Sequence, residues 1–137
     1  GEQAQMKKKV SLVGALGAAA LLGALGQQAR AVEDDDLRFD TTKDLYDICA
    51  VPVDAPEYAL ANQACRAFIE GAVQYHDAVS DRKHLPRLIC YPKNATIEDG
   101  KNAFVAWARE NADNKTRMGE LPVIGLVRSL EDKYPCK

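Results

Sequence analysis

The sequence predicts a small all-α domain of four helices stapled by two disulfides, and three observations carry that expectation. Cysteines stand at 49, 65, 90 and 136, an even number in a chain that opens with a secretion signal. Exported thiols meet an oxidising compartment and pair. Apolar residues recur at helical spacing over four stretches, with no convincing strand pair and no internal repeat. Prolines and helix-capping residues fall between those stretches, where they end one helix and begin the next.

The secretion signal begins at Met6. Lys7, Lys8 and Lys9 form a positive n-region, Val10 to Leu25 is uncharged and rich in Ala, Leu and Gly, and Ala29-Arg30-Ala31 is a small-x-small cleavage site. The apolar run is short and weakly hydrophobic for a span of ~20 residues, so cleavage after Ala31 is expected. No cysteine near the site offers a lipid anchor. Gly1 to Gln5 precede this start and read as a cloning scar or an over-extended start. The chain therefore divides into residues 1–31, an acidic flexible tail over 32–40, and a helical domain over 41–137. The signal's form points to a bacterial periplasmic protein.

Charge excludes two partner classes. The whole chain has 18 basic and 20 acidic residues. The segment before residue 32 holds four of the former and one of the latter, which leaves 14 against 19, or −5, for the mature part. An acidic domain without a basic stripe does not suit nucleic acid, where phosphate contacts supply most of the affinity. Nor does it suit an anionic membrane surface once the signal is removed. A domain this small buries a limited core. Two disulfides offset that, at roughly 3–4 kcal/mol each for loops of tens of residues.

Thr41 or Thr42 is expected to cap a first helix through Cys49, with Asp44 in its first turn and Leu45, Ile48 and Cys49 as its stripe. Pro52 ends it. Asp54 before Pro56 reads as the start of a long second helix to about Ser80, about 37 Å at 1.5 Å per residue. Its expected apolar face is Leu60, Ala61, Ala64, Cys65, Phe68, Ala72, Tyr75 and Val79. Gly71 sits within it, at a cost of about 1 kcal/mol relative to alanine, and a close approach by another helix is the expected reason. Residues 81–95 carry Pro86 and Pro92 and read as a loop. Thr96 with Asp99 three residues on resembles a capping box and opens a third helix to about Asn111, with Ile97, Phe104, Val105, Ala108 and Ala112 inward and Trp107 beside them. The polar stretch from Asn111 to Gly119 is the most loop-like between helices. The last helix runs from about Glu120 to Lys133, with Pro122 in its first turn and Val123, Leu126, Val127, Leu130 and Tyr134 as its stripe.

Four cysteines allow three connectivities, and spacing does not choose among them. The favoured pairing is Cys49–Cys136 with Cys65–Cys90. The first would tie both ends of the domain together. The second would need residues 83–90 to fold back along helix two, within the ~26 Å reach of eight extended residues.

Candidate chemistry is sparse. His76 and His84 are the only histidines, and a helix end separates them; a zinc site needs three or four ligands at short spacing. Glu33 to Asp36 lacks the alternating ligands and glycine turn of a calcium loop. The cysteines read as disulfides rather than as a thiolate nucleophile. No Ser/His/Asp set or glycine-rich phosphate loop stands out, and Asn94-Ala95-Thr96 is a chance sequon in a bacterial protein. No metal and no cofactor are expected, and a non-enzyme is.

The contexts of the cysteines say more. Leu45-x-x-x-Cys49, Ala64-Cys65-x-x-Phe68-Ile69-x-Gly71, Ile89-Cys90-x-Pro92 and Leu130-x-x-x-Tyr134-Pro135-Cys136 occur in that order. The ordered set resembles the Rap/Tai (Rap1a/Tai-like) family of type VI secretion amidase immunity proteins, from Leu45 to Cys136. The resemblance implies a small periplasmic helical protein, often dimeric, that binds and blocks a peptidoglycan amidase effector through a protruding loop. The matching loop here is Asp113, Asn114, Lys115, Thr116, Arg117 and Met118. The chain is also somewhat similar to the HdeA acid-stress chaperone, which implies opening at low pH as carboxylates protonate. An accessory subunit of a periplasmic or membrane-bound assembly is a third expectation.

Overall fold

The computed structural model describes residues 38–137. The signal sequence expected over 6–31 and the acidic run 33–36 lie outside the described residues. Among the described residues five helices follow in order: α1 (Thr42–Cys49), α2 (Tyr58–Lys83), α3 (Ile97–Glu110), α4 (Lys115–Met118) and α5 (Pro122–Lys133). The all-α class is as the sequence predicts. The additional element, α4, is a single turn inside the stretch read as a loop.

Local chemistry sets the helix ends. Thr41 and Asp44 form a reciprocal capping box on α1: Asp44 N–H donates to Thr41 Oγ1 at 3.2 Å, and Thr41 N–H to Asp44 Oδ2 at 3.0 Å. Thr96 and Asp99 do the same for α3, at 3.1 and 2.9 Å. Each box satisfies two amides that a helix start leaves open. Helix α2 starts two residues later than expected, because two successive turns (Ala55 N–H to Pro52 O at 3.0 Å, Tyr58 N–H to Ala55 O at 3.1 Å) precede it. It also runs three residues past Ser80, and His84, at φ 53°, closes it in the left-handed conformation. Phe39, at the end of the segment read as a flexible tail, packs on Phe68 of α2 with ring centroids 5.5 Å apart.

Helix α1 is the hub and touches all four other helices. Thr42, Leu45 and Cys49, on one face, are all buried. The core they join contains Cys65 and Ile69 of α2, Phe104, Trp107 and Ala108 of α3, Met118 of α4, Leu126 and Leu130 of α5, and Ile89 of the connecting segment.

The disulfides are Cys49–Cys65 and Cys90–Cys136, which corrects the pairing Cys49–Cys136 with Cys65–Cys90. The segment after α2 folds back only as far as His76, whose ring meets the amides of Leu88 and Ile89. Cys65 lies eleven residues farther along the helix, about 16 Å at 1.5 Å per residue. Cys65 instead meets the end of α1, which the turn over residues 50–57 lays against α2. Cys90 N–H donates to Tyr134 O at 2.9 Å, which brings Cys90 beside Cys136. The loops, with sequence separations of 16 and 46, correspond to about 3 and about 4 kcal/mol on a chain-entropy reckoning.

Two helix stripes face inward largely as expected, with Ala61, Cys65, Phe68 and Ala72 of α2 and Leu126, Val127 and Leu130 of α5 buried or packed on the core, and depart from expectation at single positions. On α2 the buried residues are Ala61, Cys65, Ile69 and Ser80, whereas Tyr75 is 73% exposed. On α5 they are Pro122, Gly125, Leu126, Ser129 and Leu130, and Val123 faces out. Gly71 has no neighbour within 4 Å of a built Cβ, so no helix approaches it, contrary to expectation. The close approach is at Gly125, where a Cβ would lie 2.2 Å from Thr42 Cγ2 and 3.0 Å from Thr42 Cβ.

The two glycines should therefore respond to alanine with opposite signs. Gly125→Ala is expected to destabilise by about 1–3 kcal/mol through overpacking against the short, buried Thr42 side chain. Gly71→Ala is expected to stabilise by about 0.5–1 kcal/mol through helix propensity alone. Urea denaturation of the oxidised protein reads both.

Candidate partner-binding surface

The segment from Asn111 to Glu120 links α3 to α5, largely exposed, and its own hydrogen bonds brace it. Asn114 caps α4 by accepting from Arg117 N–H at 3.1 Å. Asn114 N–H reaches Asn111 O at 2.9 Å, Met118 N–H reaches Asn114 O at 2.9 Å, and Gly119 N–H reaches Lys115 O at 3.0 Å. The Asn111 side chain works in both directions: its Nδ2 donates to Trp107 O at 2.8 Å, and its Oδ1 accepts from the Arg117 guanidinium at 2.9 Å. Arg117 is thus aimed by a neutral amide that is itself tied to the end of α3.

Of the six loop residues named from sequence, Asp113, Asn114, Lys115, Thr116 and Arg117 are exposed together at this tip. Met118 is not; it is 6% exposed and belongs to the core. Its side chain anchors the turn in the core. Polarity marked the stretch in the sequence. The lone apolar residue at its end was the available sign of an anchor.

Below the tip, Thr42 N–H donates to Glu120 O at 2.8 Å, and Thr42 Oγ1 lies 3.1 Å from both Glu120 O and Leu121 O. Glu120 also takes both prongs of the Arg128 guanidinium, at 3.0 and 3.1 Å. The exit of the tip is therefore fixed to α1 and α5.

Two grooves flank α5. One, about 440 Å³, lies against α3 over Trp107 and carries Asp99, Glu110 and Asp132 with Lys133. The other, about 300 Å³, is apolar, formed by Leu88, Val123, Ile124 and Val127 with Arg128 and Glu131 at its edge.

Sequence reasoning passed over two polar clusters. Lys101 is buried between α2 and α3, with its Nζ 2.7 Å from Asn62 Oδ1 and 5.4 Å from the Tyr58 ring centroid. The Glu98 carboxylate at 3.9 Å, the amide and the aromatic face together match its charge. The second cluster joins α2 to the segment after it. Asp77 accepts from His76, from Arg87 at 2.6 Å, and from the Tyr91 hydroxyl. Burial opposes its charge, but the hydrogen bonds from Tyr91 and His76 and the Arg87 guanidinium outweigh it and hold the carboxyl below its ordinary range. Burial and the same carboxylate push the Tyr91 hydroxyl up to about 12.

All four cysteines are in disulfides, so none supplies a nucleophilic thiolate. Among the described residues no group of three or more His, Cys, Asp or Glu could hold a metal ion, and no helix is long and apolar enough to cross a membrane. The described domain is a small helical scaffold stapled by two disulfides, with a braced polar tip and two grooves on its surface. Residues 41–136 match the family model of the Rap1a immunity proteins, and the chain belongs to that family. No curated protein and no solved structure matches it.

Asp77 yields a prediction with a definite sign. A carboxyl held low in the folded state contributes stability above the ordinary carboxylate range, and that contribution is lost as pH falls through its folded value. Asp77→Asn should be less stable than the parent at pH near 7, and the gap should narrow steadily below about pH 4. Denaturant midpoints across that range measure it.

Proposed function

We propose that this chain is a periplasmic immunity protein that binds and inhibits a peptidoglycan amidase effector of type VI secretion. The observation that carries the proposal is the family match over residues 41–136, essentially the whole described domain. The geometry supports the same reading. An inhibitor gains affinity when its contact surface is ordered before binding, and the tip here is braced by Asn111, Asn114 and Met118 before any partner arrives. The contact residues are Asp113, Asn114, Lys115, Thr116 and Arg117, with Arg117 the anchor, a residue type favoured at binding hot spots. The protein acts by occlusion and is not an enzyme, and the two disulfides suit an oxidising compartment.

Inhibition titrations with the cognate amidase test this directly. Arg117→Ala is expected to weaken inhibition about tenfold or more while leaving the denaturation midpoint close to the parent, as an exposed substitution should. Met118→Ala is expected to do the reverse first: a loss of about 2–5 kcal/mol in stability, with affinity following only as the tip loosens. Unchanged inhibition by Arg117→Ala would remove the tip from the interface.

A further inference from the structure

Residues 85–89 form a strap that returns from the left-handed turn at His84 across the C-terminal half of α2. Its first amide, Leu85 N–H, donates to Ser80 O at 3.0 Å, and beyond its far end Cys90 is fixed by the bond to Cys136 and by its N–H to Tyr134 O. Between these anchors the strap is held by two adjacent side chains of α2, His76 and Asp77. The His76 side chain is only 9% exposed. Its Nε2 lies 3.1 Å from Leu88 N and 3.3 Å from Ile89 N, with both N–H groups aimed at it. A ring nitrogen that accepts from two amides carries no proton, so the hydrogen-bond pattern assigns the proton to Nδ1, donated to Asp77 Oδ1 at 2.9 Å.

We propose that His76 is a proton-operated latch that releases the strap in mild acid. Nδ1 is already bonded, so a second proton has only Nε2 to occupy. There it turns the acceptor of two amides into a donor that faces them, and both hydrogen bonds are lost. Histidine is the side chain that changes charge between about pH 5 and 8. The charged groups around the ring are Asp77 and Arg87, which shares Asp77 Oδ1 with the ring and also pairs with Asp81 at 3.2 Å. Tyr91 occupies Asp77 Oδ2 as a neutral donor, and Tyr134 from the end of α5 packs edge-on against Tyr91 at 6.4 Å. Arg128 and Glu131 of α5 line the groove beside Leu88.

Release has a defined extent. The anchors at Leu85 and Cys90 and the Arg87–Asp77 pair stay in place, so opening is confined to Leu88 and Ile89. Ile89, 1% exposed in the closed state, leaves the core. The exposed apolar residues Val123 and Ile124 of α5, which line the groove beside Leu88, lose that neighbour as Leu88 moves with Ile89.

Amide hydrogen exchange on the oxidised full chain, corrected for intrinsic rates, tests the latch. Protection of the Leu88 and Ile89 amides is expected to fall about tenfold between about pH 7 and about pH 5, while amides within α3 keep theirs. In His76→Gln, whose side-chain oxygen accepts without titrating, that pH dependence should vanish. Equal protection at both pH values in the parent, or the same fall in His76→Gln, would overturn the proposal. The ¹⁵N shift of His76 Nε2 in the parent is a check independent of the variant: its midpoint should coincide with strap opening, and a separate midpoint would equally refute the latch.

Discussion

The close approach of α1 to α5, made by Thr42 against Gly125, is the contact on which the rest of the domain depends. Thr42 is fully buried, and both its backbone N–H and its hydroxyl serve the carbonyls that lead into α5. Left unmade in the interior, each such bond costs about 1–3 kcal/mol. They form only because α5 presents no Cβ at residue 125. At eight residues, α1 is too short to hold its own shape in water. Its helix persists because one end is boxed by Asp44, one face is packed, and its last residue is stapled to α2.

That contact also places the tip. The same carbonyl of Glu120 that receives Thr42 is two residues beyond Met118, and Met118 is sunk into the core that α1 organises. The tip is consequently held at three points: Asn111 on the end of α3, Met118 in the core, and Glu120 on α1 and Arg128. The buried staple Cys49–Cys65 and the exposed staple Cys90–Cys136 lie elsewhere. They fix α1 to α2 and the C-terminus to the strap, so neither staple involves the tip.

What was legible in the sequence was what local chemistry decides. Thr41 with Asp44, Thr96 with Asp99, and Pro122 in a first turn give their helix ends by hydrogen bonds and ring geometry confined to a few residues. What was not legible depends on a partner distant in sequence. Gly71 and Gly125 look alike in a helical pattern, and only the position of Thr42 tells which of them is needed. The pairing of the cysteines depends on how far the strap returns along α2, which His76 decides. The face of α2 was read correctly at Ala61, Cys65, Phe68 and Ala72 and missed at single positions, where Ile69 and Ser80 are buried and Tyr75 faces out. The outline of the tip was visible as a polar stretch, but its rigidity rests on Asn111, Asn114 and Met118 acting together.

The most direct measurement is hydrogen exchange on the oxidised protein, alone and bound to an effector captured at neutral pH from the native envelope and secretome. New protection is expected to concentrate over residues 111–117, with the α1–α5 junction already protected before binding. Protection confined to the outer face of α5 over 121–127, with residues 111–117 exchanging as in the unbound protein, would contradict a tip that is braced in advance to occlude the partner.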